Sequence, residues 1–131
     1  MENRTTQLTQ IRPILDLVIA STEIEKFQNN TLRPILKFQN PIVLQLFQNY
    51  INKRFRKKKN TFAGMDISDQ NIFINKAMKT DVRLKNIFLG IVIGQFTLEE
   101  LAFYHMNESE INRRITTLLI QRLQSQIEEL K

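Results

Sequence analysis

Apolar residues recur every three or four positions along the last third of the chain. This spacing places them on one face of an α-helix, for which Asn107 is the candidate N-cap. No stretch of the chain shows the alternation of apolar and polar residues that is typical of a half-buried strand. Over residues 87–93, however, a buried strand is an alternative to a helix. We therefore predict an all-α fold, a single small bundle of about five to six short capped helices with a longer C-terminal helix. The apolar stripe of that last helix consists of Ile111, Ile115, Leu118, Leu119, Leu123, Ile127 and Leu130.

Two four-residue stretches match the capping box, in which a hydroxyl and a carboxylate satisfy the free amides at a helix start. They are Thr22-Glu23-Ile24-Glu25 and Thr97-Leu98-Glu99-Glu100. Asp66 or Ser68 is expected to cap another helix, and Thr80-Asp81 to begin the next one. These caps predict helices that start at or near residues 22, 66, 81 and 97.

Residues 22–55 are predicted to form three short helices. The first helix should end near Asn29-Asn30, and Thr31 should cap the second, with Pro34 in its first turn. Asn40 should cap the third helix, with Pro41 as its first residue. Proline interrupts the chain earlier as well, because Pro13 prevents one long helix through the apolar residues before Thr22. We expect an N-terminal arm over residues 1–21, extended or flexible, and one helical domain over residues 22–131.

Composition argues against most kinds of catalytic site. The 131 residues include no cysteine, one histidine (His105) and three glycines. Thiolate chemistry is therefore excluded, a phosphate-binding glycine loop cannot be written, and His105 has no second nitrogen ligand for a metal. The longest apolar run, residues 87–93, is far shorter than the ~20 residues of a membrane-spanning helix. We expect a cytoplasmic protein that is not an enzyme, with no cofactor, metal, membrane or small-molecule substrate.

Positive charge is concentrated in one segment. The net charge is +6, and six of the 19 lysines and arginines lie between residues 53 and 59 without an acid. The remaining 13 basic residues equal the 13 acidic ones in number, so the excess belongs to this basic run. The basic run consists of Lys53, Arg54, Arg56, Lys57, Lys58 and Lys59.

Such a run is typical of phosphate binding, so the leading hypothesis is a non-enzymatic RNA-binding protein, ribosomal or ribosome-associated. Phe55 lies within the run and could stack on an unpaired base, but it also continues an apolar helix face. A second interpretation of the run is a solvated helix end whose cations favour the helix dipole. The candidate nucleic-acid-binding residues are Lys53, Arg54, Phe55, Arg56, Lys57, Lys58 and Lys59, with Arg33 and Lys37 as additional contacts.

An alternative function is a protein-interaction module. Ile120, Leu123, Ile127 and Leu130 follow a three-four-three spacing through which the C-terminal helix could form a homodimer. The same seam could instead pack on its own domain. Arg113 and Arg114 follow Glu110, and we interpret them as a surface ion-pair face.

Two stretches carry a family resemblance: TLRPILKFQN (residues 31–40) and KTDVRLKNIFLGIVIGQFTLEE (residues 79–100). They resemble a group of short bacterial proteins often labelled glyoxalases, and the resemblance covers residues 24–130. Metal-dependent glyoxalases of the βαβββ type use histidines and glutamates on a β-sheet, whereas this chain has one histidine and no predicted sheet. The resemblance brings no catalytic motif, so it implies no functional residue, and we do not adopt the label.

Overall fold

The computed structural model describes residues 3–15, 22–56 and 61–131, and these residues form helices and connecting turns with no strand. The predicted all-α small bundle is confirmed. Residues 87–93, for which a strand was the alternative, are helical. A π-helical segment, Gln28–Leu32, joins the second and third α-helices. The α-helices are α1 (Asn3–Ile11), α2 (Glu23–Phe27), α3 (Arg33–Phe55), α4 (Ile67–Thr80), α5 (Val82–Ile93), α6 (Leu98–Met106), α7 (Glu108–Gln124) and α8 (Ile127–Leu130).

One continuous helical run replaces the three short helices predicted for residues 22–55. It covers α2, the π-helical segment and α3, is 33 residues long, and exceeds the C-terminal helix α7 in length. The predicted ends near Asn29-Asn30 and at Asn40 were wrong. Pro41 lies inside α3, where it removes one backbone hydrogen bond, while buried Leu36, Val43 and Phe47 on either side keep the helix packed on the core.

The polar caps were predicted more successfully. Thr22 accepts a hydrogen bond from the Glu25 amide at 3.0 Å, and Thr97 and Glu100 form a complete capping box. Asp66 caps α4, and Asp81 caps α5 by accepting from the Leu84 amide at 3.0 Å. Asn107 occupies the N-cap position of α7, but its side chain donates instead to the backbone oxygen of Phe103.

The C-terminal helix α7 forms the centre of the bundle, because it contacts α3, α4, α5 and α6. Its apolar residues are buried, with Ile111, Ile115 and Leu123 fully enclosed. The single C-terminal helix predicted through Leu130 was wrong in its end, because α7 stops at Gln124 and Ile127 and Leu130 lie on the separate helix α8. A second part of the core is aromatic and surrounds Phe73 of α4, whose ring lies 5.3–6.2 Å from four others. Those four rings belong to Phe47, Tyr50, Phe55 and Phe62.

Helix α1 and the residues after it contact the loop between α5 and α6. Arg4 donates to the backbone oxygens of Phe96 and Gly94, at 2.7 and 3.0 Å. Arg12 donates to the oxygen of Gln95 at 2.6 Å and to both carboxylate oxygens of Glu100. Two arginines thus satisfy carbonyls at the C-terminal end of α5, where positive charge is favoured. Within the arm expected to be extended or flexible, residues 3–11 form the helix α1 instead. The boundary predicted at residue 21 lies outside the described residues and stays a prediction.

Candidate nucleic-acid interface

The basic run begins beside a groove between the C-terminal half of α3 and the start of α5. The groove has a volume of about 290 Å³. Cations surround it, while its wall is apolar and aromatic, so it can accept both phosphates and the flatter parts of a nucleotide. We call it the α3–α5 groove, and it is lined by Leu46, Asn49, Tyr50, Lys53, Arg54, Asp81, Arg83, Leu84 and Ile87.

Three cations line this groove without an ion-pair partner. Lys53 and Arg54 lie in the last turn of α3, and Arg83 lies in the first turn of α5. All three side chains are exposed, and none is within 4.0 Å of a carboxylate oxygen among the described residues. The Arg54 guanidinium lies 5.7 Å from the centre of the Tyr50 ring. The groove therefore keeps its positive charges available to an external anion.

Asp81 contributes the one carboxylate among the residues that line the groove, and it serves the helix start. Its Oδ1 accepts from the Leu84 amide at 3.0 Å, which caps α5. The Tyr50 hydroxyl is its other neighbour: burial raises the pKa of Tyr50, Arg54 opposes this rise, and Asp81 adds to it. Asp81 forms no ion pair with Lys53, Arg54 or Arg83, and its single negative charge leaves an excess of positive charge among the residues that line the groove.

Several other cations of the described chain do pair with carboxylates. Glu110 pairs with both Arg113 and Arg114, as predicted for this surface face. Lys26 pairs with Glu23, three positions away, and Lys131 pairs with Glu128 in the same way. The three cations of the α3–α5 groove differ from these paired ones, because no carboxylate that the structure describes lies within ion-pair distance of them and they line one groove.

The rest of the basic run continues away from α3. Arg56 follows the helix in an exposed turn, and it too has no ion-pair partner in the described residues. Lys57, Lys58 and Lys59 lie outside the described residues. Phe55 is partly buried, with its ring 5.3 Å from that of Phe73. The structure thus gives Phe55 a packing contact in the core, which fits its interpretation as part of the apolar helix face.

Arg33 and Lys37 lie at the other end of α3. Arg33 is 20 residues before Lys53 on the same helix, which corresponds to about 30 Å. Both side chains are exposed, and Arg33 lines a separate groove against α7. The fold therefore does not bring these two residues to the α3–α5 groove.

Sequence reasoning did not identify Arg83 as part of the site. Arg83 is 30 positions from Lys53, and the packing of α5 on α3 brings the two residues to one groove. A local signal existed, because Lys79, Arg83 and Lys85 surround the single acid Asp81. Counting charge over the whole chain hid this second, smaller concentration.

The seam of the alternative dimer is buried within the domain. Ile120, Leu123, Ile127 and Leu130 are between 0% and 7% exposed. A second copy could pair through these side chains only if α7 and α8 opened from the core. Packing of the seam on its own domain is therefore what the structure shows.

Metal-binding and membrane-spanning features are missing from the described part of the chain. Within residues 3–15, 22–56 and 61–131, no three histidine, aspartate or glutamate side chains converge as metal ligands. His105 is exposed, and its Nδ1 lies 3.9 Å from Oε2 of Glu108. No helix in these ranges combines the length and apolar character needed to cross a bilayer.

Comparison with known proteins adds no relative, because no protein-family model, curated protein or solved structure matches the chain.

Proposed function

We propose that this protein binds RNA without catalysing a reaction, and that the α3–α5 groove together with the basic run forms its RNA-binding surface. The observation that carries the proposal is the set of unpaired cations, Lys53, Arg54 and Arg83, which surround one groove from two helices. Cations that are not used in internal ion pairs can neutralise phosphates and release the counterions of the nucleic acid.

The lining of the groove favours RNA over a simple anion. Tyr50, Leu84 and Ile87 provide an apolar and aromatic wall next to the cations, which suits a ribose or an unpaired base. Asn49 adds an exposed amide that can donate or accept a hydrogen bond. Binding of this kind reads the shape and the phosphates of the RNA more than its base edges.

The partner is a structured RNA, ribosomal or part of a ribosome-associated particle. Along α3, Arg33 lies about 30 Å and Lys37 about 24 Å from Lys53. They would contact the same RNA only if the RNA extends over that distance, as a folded RNA does. Lys57, Lys58 and Lys59 continue the chain of cations from Arg56 and would add further phosphate contacts.

The experiment is cosedimentation of the native protein with ribosomal particles, together with direct binding to ribosomal RNA. The variant replaces Arg56, Lys57, Lys58 and Lys59 by serine, and circular dichroism verifies that its helicity is retained. We expect the wild-type protein to cosediment and to purify with a high 260/280 absorbance ratio, and both properties to be reduced in the variant, which keeps Lys53, Arg54 and Arg83. Unaltered RNA affinity in the folded variant would exclude this part of the surface. Absence of wild-type binding to any ribosomal RNA would overturn the ribosomal assignment.

A further inference from the structure

A second groove lies between the first turn of α3 and the last turn of α7. Its volume is about 290 Å³, and it contains two guanidinium groups, those of Arg33 and Arg122. No acidic residue lines it. We call it the α3–α7 groove, and it is lined by Arg33, Leu36, Leu118, Gln121, Arg122, Ser125 and Gln126.

The two arginines face the groove without a counterion. Arg33 uses its Nε to donate to Oδ1 of Asn29 at 3.1 Å, so its two terminal nitrogens stay available. The guanidinium of Arg122 is partly buried and has no hydrogen-bond or ion-pair partner among the residues that the structure describes. Burial lowers the pKa of Arg122, and the positive charge of Arg33 lowers it further. Two like charges around one groove oppose each other unless an anion lies between them.

The remaining polar groups hold the wall of the groove in place. The Ser125 hydroxyl donates to the backbone oxygen of Arg122 at 2.8 Å. The Gln126 and Asn40 amides donate to each other, at 2.8 Å in both directions, and so join the end of α7 to α3. Because these hydrogen bonds fix both sides of the groove, Arg122 extends from a backbone with a defined position.

We propose that the α3–α7 groove binds the dianionic phosphoryl group of a phosphate monoester between Arg33 and Arg122. A guanidinium presents its donors as a planar fork that matches two oxygens of a phosphate, and two such forks match its double negative charge. Binding would remove the repulsion between the arginines and give Arg122 the partner that it lacks. The site lies about 30 Å along α3 from Lys53, so it does not depend on the α3–α5 groove, although Arg33 is also one of the additional RNA contacts proposed above.

The test compares thermal unfolding of the whole protein in inorganic phosphate and in sodium chloride of equal ionic strength. We expect phosphate to raise the Tm of the wild-type protein above its value in chloride, because a ligand of the native state stabilises it. Arg122→Gln should weaken phosphate binding at least about tenfold, since a hydrogen-bonded charge pair is lost. In chloride this variant should melt at the wild-type temperature or higher, because the repulsion from Arg33 is removed.

The control is Arg113→Gln, which removes an exposed arginine of the same helix that pairs with Glu110. It should retain the phosphate effect in full. Arg33→Gln changes an exposed residue and repeats the test if Arg122→Gln does not fold. The proposal is overturned if phosphate stabilises the wild-type protein no more than chloride does, or if both groove variants keep the effect.

Two sources of the phosphoryl group can be separated with the same variants. One comparison uses a short RNA with a 5′ phosphate and the same RNA with a 5′ hydroxyl, and the other uses uridine 5′-monophosphate and uridine. Tighter binding of the 5′-phosphorylated RNA that is lost in Arg122→Gln assigns the groove to an RNA end. Equal binding of both RNAs, with uridine 5′-monophosphate bound and uridine not bound, assigns it to a small phosphorylated molecule.

Discussion

The guanidinium of Arg12 contacts both carboxylate oxygens of Glu100, with each N–O distance 2.7 Å. This ion pair is largely enclosed, since the Arg12 side chain is 8% exposed and that of Glu100 is 18% exposed. Glu100 also accepts from the Thr97 amide at 2.9 Å and from the Thr31 hydroxyl at 3.2 Å. One carboxylate therefore joins the residues after α1, the π-helical segment and the start of α6.

Removal of this carboxylate should destabilise the domain strongly. Glu100→Gln leaves the Arg12 guanidinium buried without its counterion, so we expect the free energy of unfolding to fall by about 3 kcal/mol or more. Urea denaturation measures the change. Glu99→Gln is the matched control, because Glu99 lies in the same first turn but is exposed, and it should change stability by less than about 0.5 kcal/mol. Equal effects of the two substitutions would contradict a structural role for the Arg12–Glu100 pair.

The same pair should make stability depend on acid pH. Burial alone would raise the pKa of Glu100, but the hydrogen bonds and charge of Arg12, with the Thr97 amide and the Thr31 hydroxyl, hold this pKa below its usual value. A carboxylate with a lowered pKa in the folded state stabilises the fold above its unfolded pKa, about 4.3. That contribution is lost as the pH falls through the folded pKa. Urea midpoints measured from pH 6 downward should therefore fall less steeply below about pH 4.5 in Glu100→Gln than in the wild type. Parallel curves would contradict this linkage.

Pro41 offers a test of the continuous helix. It is exposed inside α3, where its ring and missing amide weaken the helix. Pro41→Ala should raise the free energy of unfolding by about 1 kcal/mol or more, because the restored hydrogen bond outweighs the greater entropy of the unfolded chain. If a helix began at Pro41, the substitution would be neutral or destabilising, because proline is favourable at a first helical position. Urea denaturation distinguishes the two results.

Phe55 can be assigned to the core or to RNA contact by one substitution. Its ring packs at 5.3 Å from Phe73, so Phe55→Leu should lower the free energy of unfolding by about 1 kcal/mol. RNA affinity of the folded variant should stay within about twofold of the wild type, whereas loss of a stacked base would weaken it about fivefold or more. A large loss of affinity without a loss of stability would show that Phe55 stacks on RNA.

Structural features that depend on residues close together in the sequence, such as helix caps, could be predicted from the sequence. Thr97 and Glu100 form their capping box from side chains three positions apart, and Asp81 caps α5 from within its own turn. Pro41 was predicted to begin a helix because proline is favourable at a first helical position. It lies instead inside α3, because packing of the residues around it on the core keeps the helix continuous. Thr31, expected to cap a helix, is buried and donates to Glu100, 69 positions away.

The candidate site was only half visible in the sequence for the same reason. Lys53 and Arg54 stand out as part of a charge run, but Arg83 joins them only through the packing of α5 on α3. Arg33 and Arg122 line one groove from α3 and α7, and no local pattern predicts that they come together there. The sequence also does not show which cations form ion pairs. Glu110 pairs with Arg113 and Arg114, whereas Asp81 caps α5 and pairs with none of the groove cations.

The most direct test of the central claim is the salt dependence of RNA binding. One triple variant changes the unpaired cations Lys53, Arg54 and Arg83 to glutamine. The control, of equal net charge, changes the paired and exposed cations Lys26, Arg113 and Lys131 to glutamine. A log–log plot of binding constant against salt should lose about 2 units of slope in the groove variant, at roughly 0.7 per phosphate contact, and nearly none in the control. Equal slopes and equal affinities for the two variants would contradict the claim that the α3–α5 groove holds RNA phosphates.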